Sequence, residues 1–387
     1  MCVLDGITLV SFEQFGAGPY ASMFFAAMGA TVIKVEVPAT GGDYARHTGT
    51  DTLGENDSLY FQAFNLNKKS VALDIKSVQG REDFDALVPN CDAVINNLRG
   101  SQPAKLGLEY KDLSKLNERL VCGHISAYGR ENSRKDWPGY DFLMQAEAGF
   151  MALTGDPGAP PTRLGLSMVD YMTGMTLAFA VMGAIYRARE SGEGCDIDVS
   201  LFDVAVHQLA YQGTWALNGH SVTPRQPRSA HPSNVPCQLQ KTADGWIYIA
   251  CMHQKFWAIL ARAIGLEALI EDPRFQSADD RLKNRAVLTD LLDECFQTDT
   301  TDTWLKHLAT KIPVAPINEL DKALSSPFLR DEAQMVTAID HPNAGSLNVL
   351  SNPIRVNGKR LALAAGPKLG ADTESVLNGA WAKTAAE

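Results

Sequence analysis

The chain has 387 residues, 45% of them hydrophobic, and a formal net charge of −10 at pH 7. That length carries roughly two domains, and the apolar fraction is that of a globular protein with a large core. An acidic balance without a long basic run argues against a nucleic-acid partner, and an anionic ligand would need a local basic pocket set against the overall field. Seven cysteines stand singly, an odd number without a CxxC pair. This predicts reduced thiols in a cytoplasmic protein and no metal site of the zinc type. The first ten residues lack a basic start ahead of an apolar run, so no signal peptide is expected. No uninterrupted apolar stretch reaches the ~18 residues of a membrane span, so no membrane partner is expected either.

Along the chain, Ile7–Phe12 predicts a short strand and GAGPYASMFFAAMGA a turn and a helix. Thr31–Val37 reads as a buried strand with alternating outward charges, and Ser70–Ile75 as another. A helix over Arg81–Leu87, a strand over Asp92–Leu98, a helical turn over Leu113–Arg119 and a strand over Leu120–Ser126 complete the alternation. Strands separated by helices in this way imply parallel βαβ units and a doubly wound α/β sheet, whose ligands bind at the carboxyl ends of the strands. A long core helix is expected from Met172 to Ala188. The stretch around Asn218–Pro236, rich in Pro, Ser, Arg and His, reads as a linker or surface loop. Beyond it, ADGWIYIACM predicts a turn and strand, and helical signals recur at Lys255–Ala263, Ala286–Phe296 and Thr303–Thr310. Ile312–Ile317 reads as a strand leading out of this smaller α+β unit, and the turn-rich tail ends in a capped helix. The expected division is 1–217, a linker 218–236, a small domain 237–315, and 316–387 returning to the large one.

The unexpected residue is Asp170, a carboxylate at the mouth of the long apolar helix. It reads either as a plain N-cap, which Asp fills well, or as a nucleophile or base held near the interior at a helix N-terminus. Gly16-Ala17-Gly18-Pro19-Tyr20-Ala21 matches GxGxxA after a strand, with Glu36 ending the next strand, which is the setting of a dinucleotide turn. Pro19, however, removes an amide donor where a pyrophosphate would need one. GxSxG, HExxH and a Walker lysine are all absent. His124 could reach a site or be a packed structural residue, and Lys68-Lys69 could meet phosphates or form a solvated strand entry.

Taken together, LDGITLVSFEQFGAGPYASMFFAAMGATVIKVE, NLNKKSVALDIK, DAVINNLRG, PGYDFLMQAEAG, GLSMVDYMTG and GCDIDVSLFD resemble the class III coenzyme A transferases, from Leu4 to about Leu377. The resemblance implies a Rossmann-like large domain built from both ends of the chain, a small domain inserted between, and a homodimer of interlocked rings. It makes Asp170 the nucleophile, which carries the acyl group as a mixed anhydride and then CoA as a thioester. It places CoA, a substrate and not a tightly bound cofactor, at Gly16, Ala17, Leu73, Lys76, Asn97, Leu98 and Lys105, with the two lysines neutralising its phosphates. Val37 stands where many relatives have Arg, Leu98 replaces a common aromatic, and Pro224–Pro236 takes the place of a Gly-rich lid. The related α-methylacyl-CoA racemases are the alternative. They place a His where Tyr140 stands, and a phenol is a poor base at neutral pH. Arg46 and Arg163 are candidates to grip a second carboxylate, which points to a short dicarboxylate such as succinate, mesaconate, itaconate or glutarate. The competing reading is that both make structural ion pairs.

Overall fold

The computed structural model describes residues 2–219 and 224–379. Residues 220–223 of the expected linker and 380–387 of the expected C-terminal part lie outside the described residues. The chain forms two compact units. The larger comprises 1–148, 164–210 and 327–387, and the smaller 149–163 and 211–326.

The larger unit is built on six parallel strands. They are β1 (Thr8–Phe12), β2 (Thr31–Glu36), β3 (Lys69–Ala72), β4 (Ala93–Asn96), β5 (Val121–Ser126) and β6 (Cys195–Ser200). Their spatial order is β3-β2-β1-β4-β5-β6. This is the Rossmann order, which reverses direction between β1 and β4 and opens a crevice there at the strand ends. The sequence pattern anticipated five of the strands. It missed β6, whose alternating Cys-Asp-Ile-Asp-Val-Ser leaves the aspartates outward at the edge of the sheet. The helical turn expected over Leu113–Arg119 is instead a short helix at Tyr110–Leu113.

The helices that matter for the site are α1 (Ala17–Ala27), α2 (Leu59–Asn65), α3 (Val78–Leu87), α4 (Asp141–Glu147) and α5 (Met168–Ser191). Helix α5 begins four residues earlier and ends three later than its apolar run suggests. Among the described residues it is the one helix long and apolar enough, by length and composition alone, to cross a membrane. Its buried face, Val169, Thr173, Leu177, Val181, Ile185 and Ala188, repeats at helical spacing. Gly174 on the same face lets it lie directly on α1, since a Cβ there would come within 2.6 Å of the Ala17 carbonyl oxygen.

The charges of β2 do not point outward as expected, because a parallel sheet is covered on both faces. Lys34 and Glu36 are wholly buried, and so are Glu13, Asp43, Arg46 and Lys68. Lys34 Nζ meets Asp43 Oδ2 at 2.7 Å, and Lys68 Nζ meets Glu13 Oε1 at 2.8 Å. Arg46 grips Glu36 through two hydrogen bonds of 2.8 and 2.7 Å and stacks on the Phe61 ring. Three cations face three anions, so the cluster is charge-balanced. Burial works against the Glu36 carboxylate, yet Arg46 and Lys34 hold it down at about 2. Burial also pulls the Lys68 ammonium down to about 8 against the attraction of Glu13.

The C-terminal segment joins the same sheet. The helix expected in the tail is α6 (Thr373–Leu377), and Asp372 at its N-cap position makes no side-chain capping bond. That carboxylate instead accepts from the Ser70 amide of edge strand β3 at 2.9 Å. In the smaller unit, Cys237–Lys241, Trp246–Ala250 and Val314–Pro316 form an antiparallel sheet with the middle segment in the centre. The last of these was expected to lead out of the unit but forms its edge strand. Trp257, Phe275, Leu288, Leu292 and Phe296 fill the core behind this sheet.

Removing one member of a buried ion pair leaves the other uncompensated, at a cost of about 3–5 kcal/mol. Glu36→Ala should therefore lower the unfolding free energy by about that amount in denaturant titration. Lys69→Ala, which breaks the exposed pair with Asp372, should change it by less than about 1 kcal/mol.

Candidate active site

Two helix N-termini meet at the crevice between β1 and β4. Gly16 is the N-cap of α1, and Asp170 is the third residue of α5, three positions beyond its N-cap Ser167. A Cβ on Gly16 would lie 2.9 Å from Asp170 Oδ2, so only glycine lets the α1 turn come this close to the carboxylate. Phe15, just before it, holds a left-handed φ of 61°, a conformation that costs a non-glycine residue roughly 1–2 kcal/mol. The turn is held in that shape from both sides. The Phe15 amide donates to Asp43 Oδ1 at 3.1 Å, Lys34 Nζ donates to the Glu13 carbonyl at 2.9 Å, and the Asn97 side chain brackets the Gln14 backbone with bonds of 3.0 and 2.7 Å.

These elements line a cleft of about 440 Å³ within the larger unit. Of the residues singled out in the sequence, the cleft brings together Gly16, Ala17, Asn97, Leu98, Tyr140 and Asp170. It does not include Leu73, buried in the core, or Lys76 and Lys105, both exposed beyond the ends of β3 and β4. Arg46 is not a substrate grip: it is 1% exposed, and Glu36 with the carbonyls of Asn56 and Pro367 occupies its guanidinium. Arg163 is exposed and belongs to the smaller unit, whereas every cleft-lining residue belongs to the larger. Among the described residues that line the cleft the only cation is Arg99, which sequence reasoning passed over. His124 is a structural residue, buried between Asn96 and Asp196 with bonds of 2.8 Å to each. Lys68 is buried in its ion pair and Lys69 faces Asp372. Among the described residues no group of three or more His, Cys, Asp or Glu is placed to hold a metal ion.

The electrostatics of Asp170 are unusual. Among the described residues its carboxylate has no hydrogen-bond or ion-pair partner. The amides at the head of its own helix, Val169 N and Asp170 N, donate instead to Asp141 Oδ2 at 2.6 and 3.1 Å. Burial, with the like charge of Asp141 adding to it, pushes the Asp170 carboxyl up to about 7. Tyr60 of α2 and Tyr171 of α5 stand close enough to feel its charge. Burial and then Asp170 raise both phenols, Tyr60 to about 12. Neither Asp141 nor Tyr60 was singled out in the sequence. A cap supplied from 29 residues away leaves no local pattern.

Residues 4–373 match CoA-transferase family III. The chain belongs to this family. Succinyl-CoA:glutarate CoA-transferase of Homo sapiens is 30% identical over 376 residues, spanning 97% of this chain and 85% of that protein. Succinyl-CoA:mesaconate CoA-transferase of Haloarcula hispanica is 30% identical over 367 residues, spanning 92% of this chain and 90% of the other. The crystal structure of a CaiB/BaiF family protein from Brucella suis superposes with a TM-score of 0.83 at 32% identity, covering 97% of this chain and 98% of that one. The protein is thus a family III CoA-transferase with a mixed α/β fold around a parallel sheet. Its named relatives are transferases, which does not favour the racemase alternative.

A carboxyl raised to about 7 in the folded transferase makes the native state bind its proton more tightly than the unfolded chain, where an Asp titrates near ~3.9. The stability this contributes is complete below the unfolded value and is lost as the pH rises through about 7. Asp170→Asn should therefore melt above the parent at pH 8, with the difference shrinking steadily towards pH 4. Equal pH profiles for the two melting curves would refute the assignment.

Proposed function

We propose that this transferase moves CoA from an acyl-CoA to a short dicarboxylate, with Asp170 as the covalent carrier. The observation that carries the reading is the Asp170 carboxylate itself. It lines the cleft, is pressed against the α1 turn, lacks hydrogen-bond partners and is raised to about 7 by burial. A carboxylate freed from hydrogen bonds is a stronger nucleophile than a solvated one, and a carboxyl near 7 is substantially ionised at neutral pH.

In the proposed sequence the Asp170 oxygen attacks the thioester carbonyl, and the C–S bond breaks to give a mixed anhydride and CoA thiolate. The thiolate attacks the aspartyl carbonyl, which releases the donor acid and leaves CoA on Asp170 as a thioester. The acceptor carboxylate attacks that thioester, the thiolate leaves, and a second anhydride forms. The thiolate then takes the new acyl group and regenerates the Asp170 carboxylate. No net proton or electron is exchanged, and the activated acyl level stays on the protein and out of reach of water. In this reading the N-terminal amides of α1 at Ala17 and Gly18 would serve the tetrahedral oxyanions.

CoA is taken to run along the strand ends. Gly16, Ala17, Asn97 and Leu98 flank its reactive end, Leu73 presents only backbone, and the exposed ammonium groups of Lys76 and Lys105 meet its phosphates. Tyr140 shapes the acyl side. Arg99 takes over from Arg46 and Arg163 as the cation for the second carboxylate of the acid. The dicarboxylate class is supported by the names of the glutarate and mesaconate transferases it resembles. The proposed assembly is an interlocked homodimer, with the large domain drawn from both ends of the chain. The outer face of α5 supports it: Met175, Phe179 and Tyr186 are 46, 84 and 72% exposed on one apolar stripe.

Asp170→Ala should fold and bind CoA but lose transfer from succinyl-CoA to glutarate by several orders of magnitude. Hydroxylamine added during turnover should mark Asp170 alone in the parent. Substantial activity in Asp170→Ala would sink the mechanism. Sizing at nanomolar concentration should find a dimer that does not dissociate, since linked rings separate only by unfolding, and a concentration-dependent monomer would exclude that assembly.

A further inference from the structure

We propose that Asp141 is a positioning residue that keeps the nucleophile free: its carboxylate occupies the amide donors at the head of α5 that the Asp170 side chain would otherwise take. The proposal rests on the reading of Asp170 as the attacking carboxylate. An Asp in the first turn of a helix ordinarily folds back onto the free N-terminal amides. Those amides would disperse its charge and lower its reactivity toward a carbonyl carbon. In this chain the Ser167 side chain, at the N-cap position, makes no capping bond, and the donors are taken from α4. Asp141 Oδ2 accepts from Val169 N and Asp170 N at 2.6 and 3.1 Å.

Asp141 is itself held rigidly. It is 1% exposed, and its second oxygen accepts from Gln145 Nε2 at 2.5 Å, one turn along the same helix. Gln145 also fastens the approach to α5. Its Oε1 accepts from Leu164 N at 2.9 Å, and its Nε2 reaches the Leu166 carbonyl at 3.2 Å. The pair therefore fixes both the path of the chain into α5 and the occupancy of its first amides. The titratable groups facing Asp170 are Asp141 from α4, Tyr60 from α2 and Tyr171 from its own helix, with Tyr20 of α1 stacked on Tyr171. None of these is a cation that could replace the missing amides.

The test uses the full-length enzyme with succinyl-CoA and glutarate, and it compares Asp141→Ala and Asp141→Asn with the parent. In a single turnover, hydroxylamine trapping on the Asp170 peptide reads the attack step directly. In Asp141→Ala the amides are released to Asp170. Trapping and kcat should fall by at least about tenfold, the worth of about one charge-assisted hydrogen bond, while KM for succinyl-CoA changes by less than about twofold. Asp141→Asn keeps an acceptor on both amides and loses the like charge. It should retain most of the trapping rate, and the acid limb of its kcat/KM profile should move down by about one pH unit. Trapping rates and acid limbs equal to the parent in both variants would overturn the proposal and leave Asp141 a cap that serves only the fold. Should Asp141→Ala fail to fold, Asp141→Ser, whose side chain is too short to hold both amides, takes its place in the trapping assay with the same expected loss. No label on Asp170 in the parent would overturn the nucleophile reading and this proposal with it, a result distinct from normal labelling in the variants.

Discussion

The site rests on six buried charges beneath the first β–α turn. Lys34, Lys68 and Arg46 face Glu13, Asp43 and Glu36 in a cluster closed to water. Such a cluster adds little net stability, because desolvation offsets most of the attraction. What it does is specify position. Lys34 holds the Glu13 carbonyl, and Asp43 holds the Phe15 amide in a backbone conformation that Phe would otherwise avoid. Gly16 follows at once, and its missing side chain is where the Asp170 carboxylate stands. A shift of this turn toward α5 would crowd that carboxylate.

The second constraint is the crossing of α1 and α5. Gly174 lets the two backbones nearly touch, so both N-termini arrive at the same end of the sheet. A helix end favours an anion, yet the first amides of α5 donate to Asp141 and not to the Asp170 carboxylate of their own helix. The arrangement separates two jobs that one aspartate usually combines. One carboxylate satisfies the helix, and the other is left under-solvated and raised to about 7. The under-solvation of that second group lowers stability at neutral pH. Sites that carry reactivity commonly work against the stability of their fold in this way.

Much of this was legible in the residues. The alternation of strands and helices, the Gly-rich first turn and the lone carboxylate on an apolar helix each follow from local pattern, and together they carried the family resemblance. Local pattern failed where a residue's partner lies far along the chain. Lys34 and Glu36 read as outward charges because a strand shows its alternation but not what covers its second face. Arg46 read as either a substrate grip or a structural ion pair, because the residues beside it do not declare Glu36, ten residues back, and Pro367 to be its partners. The strand at Cys195–Ser200 was missed because its aspartates break the apolar run.

What the sequence by itself determined is the class of fold, the order of its strands' signals and the chemical type of the critical group, since hydrophobic period, glycine and a solitary Asp are properties of neighbouring residues. Only the tertiary structure decided which carboxylate caps the helix and which is left free. It also decided that Arg46 belongs to the core and Arg99 to the cleft. The physical reason is that hydrogen-bond occupancy and burial depend on groups brought together from ten to hundreds of residues apart, and these set the electrostatics of Asp170 where its own position on the helix does not.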